Sequence, residues 1–111
     1  MARKYDLISE LYDRTCKTVV SSPQNWEAFL TSACRNYKLR FDEQLLVFAQ
    51  RPDATAVLEI ERWNCTFGRW VNRGATGIAV FDDDASRSRQ RLIHYFDISD
   101  THPSKYSRPV P

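Results

Sequence analysis

No run of about 18 apolar residues, the length a membrane-spanning helix needs, occurs anywhere in this chain. The N-terminus, Met1-Ala2-Arg3-Lys4-Tyr5-Asp6, passes straight into charged residues without the apolar stretch of a secretory leader. A cytoplasmic protein is expected. Cysteine is scarce: Cys16, Cys34 and Cys65 are odd in number, form no Cys-x-x-Cys and have no clustered histidines beside them. That argues against a disulfide framework and against a zinc site, and predicts three buried thiols in a reducing compartment. Also missing are Gly-x-Ser-x-Gly, His-Glu-x-x-His, a P-loop and a dinucleotide fingerprint. The expectation is a protein that binds without catalysing, and without a cofactor.

Two further features fall short of chemistry. Asp82, Asp83 and Asp84 are adjacent, and in an extended chain their carboxylates point in alternating directions, so they do not converge on one ion. They read as a solvated turn. His94 alternates with apolar neighbours and has no acid at a telling spacing, which suits a hydrogen-bonded, half-buried residue better than a base. Charge of one sign is lacking too. Sixteen Lys and Arg against 14 Asp and Glu leave +2, too little for a polyanion binder that relies on overall charge. Any nucleic-acid site must be a local patch.

What remains is the material of one small domain: 111 residues, 42% hydrophobic and 13% aromatic. Tyr5, Ile8, Tyr12, Thr15 and Val19 recur at helical steps and predict a first helix. Ser22 as N-cap and Pro23 at the first helical position announce a second, whose stripe is Trp26, Phe29, Leu30, Ala33, Cys34 and Tyr37. Asp42 is expected to cap a third helix carrying Leu45, Leu46, Phe48 and Ala49, stopped by Pro52. Val57, Ile60 and Trp63 suit a short fourth helix to about Asn64, while Ala56-Val57-Leu58 is equally compatible with a strand.

Beyond Gly68 the character changes. Gly74 and Gly77 bracket a turn, Ile78-Ala79-Val80-Phe81 reads as a strand, and Leu92, His94, Phe96 and Ile98 alternate as its hairpin partner across a polar loop. The fold class is therefore α+β, with N-terminal helices packed on a small antiparallel sheet or hairpin. Residues 1–101 form the domain, and residues 102–111, with three prolines, an extended tail into something further.

The arginines are distributed unevenly. Between Glu61 and Asp82 there is no acid, while Arg62, Arg69 and Arg73 lie among Trp63, Phe67 and Trp70. Between Asp84 and Asp97 lie Arg87, Arg89 and Arg91 with Tyr95 and Phe96. Guanidinium forks match phosphate oxygens and exposed aromatics stack unpaired bases, so the mixture suits single-stranded nucleic acid. It equally suits aromatics in a core with arginines in solvent.

In order and spacing, a set of residues over Trp26 to Thr101 resembles the N-terminal domain of ArdC-type antirestriction proteins, which also heads large methylase-helicase proteins of conjugative elements. The resemblance rests on Trp26, Tyr37, Phe41-Asp42-Glu43-Gln44-Leu45-Leu46, Gln50, Pro52, Ala54-Thr55 and Trp63. It continues through Gly68-Arg69-Trp70-Val71-Asn72-Arg73-Gly74, Gly77-Ile78 and Phe96-Asp97-Ile98-Ser99. It implies single-stranded DNA binding and protection of incoming DNA from host restriction, a cytoplasmic anti-defence module of a mobile genetic element. The zinc-protease-like domain of ArdC proteins is not implied, since no His-Glu-x-x-His is present. Ala75-Thr76 departs from the charged pair that relatives place between the two glycines, which implies a weaker grip.

The expected site has Arg69 and Arg73 on phosphates and Trp70 or Tyr37 under a base, with Arg87, Arg89 and Arg91 extending the groove. Arg40 and Arg51, at the ends of the third helix, are secondary members, and Trp63 is left out as a core residue. A reading from another class is a protein-binding inhibitor of a host restriction or CRISPR effector. A third is a fold fragment whose activity resides in further domains.

Overall fold

The predicted first stripe forms α1 (Lys4–Val19) in the computed structural model, which describes residues 4–82, 91–107 and 109. Ile8, Thr15 and Val19 are its buried line, and Tyr5 and Tyr12 pack their rings on Phe81 at 5.2 and 6.0 Å between centroids. Ser22 caps α2 (Pro23–Arg35) by accepting the N–H of Asn25 at 3.1 Å, with Pro23 where a missing donor costs nothing. The third helix, α3 (Phe41–Gln50), starts slightly ahead of the expected cap. Glu43 reaches back to accept the Arg40 N–H at 3.0 Å, so the helix is capped from within its first turn and Asp42 pairs with Arg40 instead.

Leu45, Leu46 and Val47 are fully buried in succession, which places α3 at the centre of the molecule. Leu45 joins Val19 and Phe29 between the helices. Leu46 and Val47 join Ile8, Val57, Ile78 and Val80 between helices and sheet. Burying side chains of this size contributes roughly 1.5–3 kcal/mol each, offset by the entropy of ordering them.

Both readings of the segment after Pro52 hold in part. Val57–Leu58 is a short strand, β1, and α4 (Ile60–Phe67) follows it at once. The expected strand is β3 (Ile78–Phe81), and it pairs antiparallel with β4 (Leu92–Asp97), Ile78 opposite Tyr95 and Phe81 opposite Leu92. β1 lies on the other side of β4, giving the order β1-β4-β3. The outer edge of β3 is closed by a side chain. Gln50 accepts the Ala79 N–H at 3.0 Å and donates to the Ala79 carbonyl at 2.8 Å, as a neighbouring strand would.

A second sheet goes beyond the sequence expectation. β2 (Arg69–Val71) pairs antiparallel with β5 (Thr101–Pro103), which follows a 3₁₀ turn at Ile98–Asp100. The tail expected to extend away from His102 therefore stays on the domain through Pro103, and Ser104 folds back on Gly68 by donating from both its N–H and its hydroxyl to the Gly68 carbonyl. Asp97 holds this corner together. One carboxylate oxygen accepts the N–H groups of Thr55 and Ala56 at 2.8 and 3.1 Å, and the other takes the N–H and hydroxyl of Ser99 at 3.1 and 2.6 Å. Trp63 is fully buried, as expected, and its indole N–H is satisfied by the Phe96 carbonyl at 2.8 Å.

The cysteine expectation is corrected. Cys16 is half-buried, and Cys34 and Cys65 are exposed. For Cys34 the reason is the roll of α2, which buries Phe29, Ser32 and Asn36 and leaves Trp26, Leu30 and Cys34 on the outside. The helix is held in that orientation by Asn25, which donates to the Thr18 carbonyl and the Ser21 hydroxyl, and by Asn36, whose carbonyl takes the Gln44 amide. Of the polar loop, residues 83–90 lie outside the described residues, Asp83 and Asp84 with them. No described helix is long and apolar enough to cross a membrane, and no three described His, Cys, Asp or Glu residues gather as metal ligands would.

Candidate nucleic-acid interface

α4 ends at Gly68, whose φ of 63° is the left-handed conformation that closes helices and that other residues adopt at a cost. A side chain here would also run into the backbone of Tyr106. The chain then enters β2, where successive side chains alternate between faces. Arg69 and Val71 share one face with Thr101 and Pro103 of β5, while Trp70 lies opposite His102 on the other.

That alternation separates the two central residues of the expected site. Arg69 points inward: its Nε donates to the Thr101 hydroxyl at 2.8 Å and its terminal nitrogen to the Thr101 carbonyl at 3.2 Å. It ties β2 to β5. Trp70 is 50% exposed. Beside it, His102 Nδ1 lies 2.7 Å from the Asn72 side-chain oxygen, a hydrogen bond that orients the ring. The ribbon thus presents an indole and a fixed imidazole side by side.

Arg73 follows in a tight turn in which the Ala75 N–H donates to the Asn72 carbonyl at 3.1 Å and Gly74 takes a φ of 85°. It is exposed and has no carboxylate partner among the described residues. At the opposite end of the ribbon, beside Gly68, the Ser104–Ser107 turn carries Lys105 and Tyr106 into solvent, the ammonium 5.0 Å from the ring centroid. His102, Lys105 and Tyr106 escape sequence reading because the prolines from His102 onward predict a linker. The available signal is a tyrosine beside a lysine close to prolines, with no apolar period to assign it to a core.

Of the remaining expected residues, none that is described joins this surface. Arg51 follows α3 and is engaged: it donates to Asp100 at 2.7 Å, to Ser99 at 2.8 Å and to Asp53 at 3.1 Å. Arg40, at the other end of α3, pairs with Asp42 and Glu43 and donates to the Phe81 carbonyl at 3.0 Å. A ten-residue helix is about 15 Å long, so these two ends are well apart. Tyr37, 71% exposed with Lys38 5.8 Å from its ring, belongs to the Arg40 end. So does the exposed Arg91, whose carbonyl accepts the Asp82 N–H. Arg87 and Arg89 lie outside the described residues.

Compared with known proteins, the chain matches no family model, no curated protein and no solved structure. Part of the motif that carries the resemblance has an architectural explanation: Gln50 closes a sheet edge, Asp97 and Ser99 lock a corner, and Arg69 joins two strands.

Proposed function

We propose that the exposed face of the β2–β5 ribbon binds single-stranded nucleic acid, single-stranded DNA in the first place, as a non-catalytic anti-defence module of a mobile genetic element. The observation that carries the binding reading is Trp70, half exposed on a strand whose other face is the more sheltered one, opposite His102 and three residues before the exposed Arg73. Burying this indole would have been the cheaper arrangement for a small domain; exposing it beside a cation creates a surface on which a base stacks while a guanidinium takes the phosphate. Duplex DNA offers no unpaired base to such a surface, hence the preference for single strands. The anti-defence role rests on the resemblance to the ArdC-type domain.

The test is fluorescence anisotropy with labelled single-stranded and duplex oligonucleotides at low salt, for the parent protein and Trp70→Ala. Tighter binding of single strands, weakened roughly 5- to 150-fold in the variant, supports the reading, since stacking one base contributes about 1–3 kcal/mol. A parent that binds neither form at low salt overturns it.

A further inference from the structure

The second helix is apolar on the wrong side. Toward the core it turns Phe29 together with Ser32 and Asn36, and the Ser32 hydroxyl is buried with no hydrogen-bond partner among the described atoms. Toward solvent it turns Trp26 (40% exposed), Leu30 (42%) and Cys34, with Tyr37 continuing the row in the turn that follows. Val20 and Pro23 extend the row and, with Ser21, Ser22 and Trp26, line a shallow hollow at its N-terminal end. A helix that buries a serine while exposing a tryptophan and a leucine has a face for something else to cover.

We propose that this face is covered by the same face of a second copy of the chain, the two α2 helices lying antiparallel about a twofold axis. The argument is self-complementarity, which an isologous contact requires: whatever a residue meets must meet it in return. With the axis at the level of Ser32, Leu30 of one copy comes level with Cys34 of the other, and Trp26 and Tyr37 come within one residue of each other. Glu27 and Lys38 likewise come within one residue of each other in this register. Glu27 and Lys38 are exposed, the acid near the start of the helix and the base just past its end, where its ammonium lies 5.8 Å from the Tyr37 ring centroid. Antiparallel apposition therefore places opposite charges together at both ends, whereas parallel apposition places like against like. The Tyr37 ring of each copy comes level with the hollow beside Trp26 of the other. This face is distinct from the β2–β5 ribbon, and the inference does not depend on nucleic-acid binding.

Sedimentation velocity over a wide concentration range tests it with the whole chain. The expected result is a monomer–dimer equilibrium that Leu30→Glu weakens at least about tenfold, the scale of a buried interface anchor. Charge exchange supplies a test that exposed positions tolerate without unfolding. Glu27→Lys and Lys38→Glu each weaken the dimer, and the double variant restores it. Alkylation gives an independent readout, because Cys34 becomes protected as concentration rises while exposed Cys65 on α4 does not. A parent that stays monomeric throughout overturns the proposal and leaves the face to a different protein. A dimer indifferent to Leu30→Glu, or one in which Cys34 keeps pace with Cys65, overturns it as well.

Discussion

Arg51 donates to the Asp100 carboxylate at 2.7 Å, and the backbone carbonyl of Asp100 in turn accepts the Asn72 N–H at 2.7 Å. The end of α3 is thereby fastened to the strand that carries Trp70. Arg51, a secondary member of the expected site, is engaged as a brace. Arg51→Ala should lower stability by about 1.5–3 kcal/mol, the range for hydrogen bonds to charged groups, while leaving the salt dependence of nucleic-acid binding unchanged. Denaturant midpoints beside anisotropy titrations check both halves; a variant of parental stability with a flattened salt slope would restore Arg51 to the binding surface.

Glu43 carries a comparable load at the other end of α3. It caps the helix through the Arg40 N–H, lies 3.6 Å from the Arg40 guanidinium and accepts the Tyr95 hydroxyl of β4. Burial comes first, and then this acceptor, in raising the Tyr95 pKa above its ordinary value. Glu43→Ala should cost roughly 2–5 kcal/mol, because it leaves a buried phenol and a helix-end N–H unpaired at once. Glu43→Gln, which still accepts, should cost less. Equal losses would mean that volume and not hydrogen bonding matters at this site.

Stability should fall with pH in two steps. The His94 pKa is lowered from 6.5 by burial first and by the Lys4 ammonium second. The Asp97 pKa is lowered from 3.8: burial, which alone would raise it, is outweighed by the Ser99 hydroxyl and the N–H groups of Ala56, Thr55 and Ser99. In both cases the unfolded chain takes up the proton before the folded one, so the contribution is complete above the unfolded value and lost as pH falls toward the folded one. The upper step begins near 6.5 and the lower near 3.8. Urea denaturation at a series of pH values should show His94→Gln lacking the first step and Asp97→Asn lacking the second, the latter also weakened at neutral pH. Retention of the upper step in His94→Gln would assign it elsewhere.

How legible the molecule is depends on how local the deciding interactions are. The start of α2 is readable because Ser22 and Pro23 act within a few residues of themselves. The β3–β4 hairpin is readable because Leu92, His94 and Phe96 alternate over a strand long enough to show it. The roll of α2 is not: Phe29 belongs to the apolar stripe and to the buried line alike, and the choice between them is made by Asn25 gripping the end of α1 and by Gln44 of α3 donating to the Asn36 carbonyl. The β2–β5 ribbon is hidden because three-residue strands carry no period and their pairing is decided by contacts across the chain. The acid-free window around Arg69 is real along the sequence, but the guanidinium it leaves without an acid is claimed by the Thr101 hydroxyl and carbonyl across the ribbon.

The two ribbon arginines should consequently respond in different ways to substitution. Arg73 is exposed on its turn, so Arg73→Ala should leave the melting temperature nearly unchanged while removing one phosphate interaction. Removing one such interaction with a single strand reduces the slope of log affinity against log salt by about 0.7, which anisotropy titrations across a range of salt concentrations resolve. Arg69 holds Thr101, so Arg69→Ala should loosen β5, lower the melting temperature and weaken binding indirectly, through the placement of His102 and Tyr106. Its salt slope should stay close to the parent's, because every cation that meets a phosphate is still in place. Arg69→Lys keeps a cation but not the fork that spans the Thr101 hydroxyl and carbonyl, and should behave like the alanine variant. If Arg69→Ala instead flattens the slope at full stability and Arg73→Ala does nothing, the strand runs along the opposite face of the ribbon and Trp70 is not its platform.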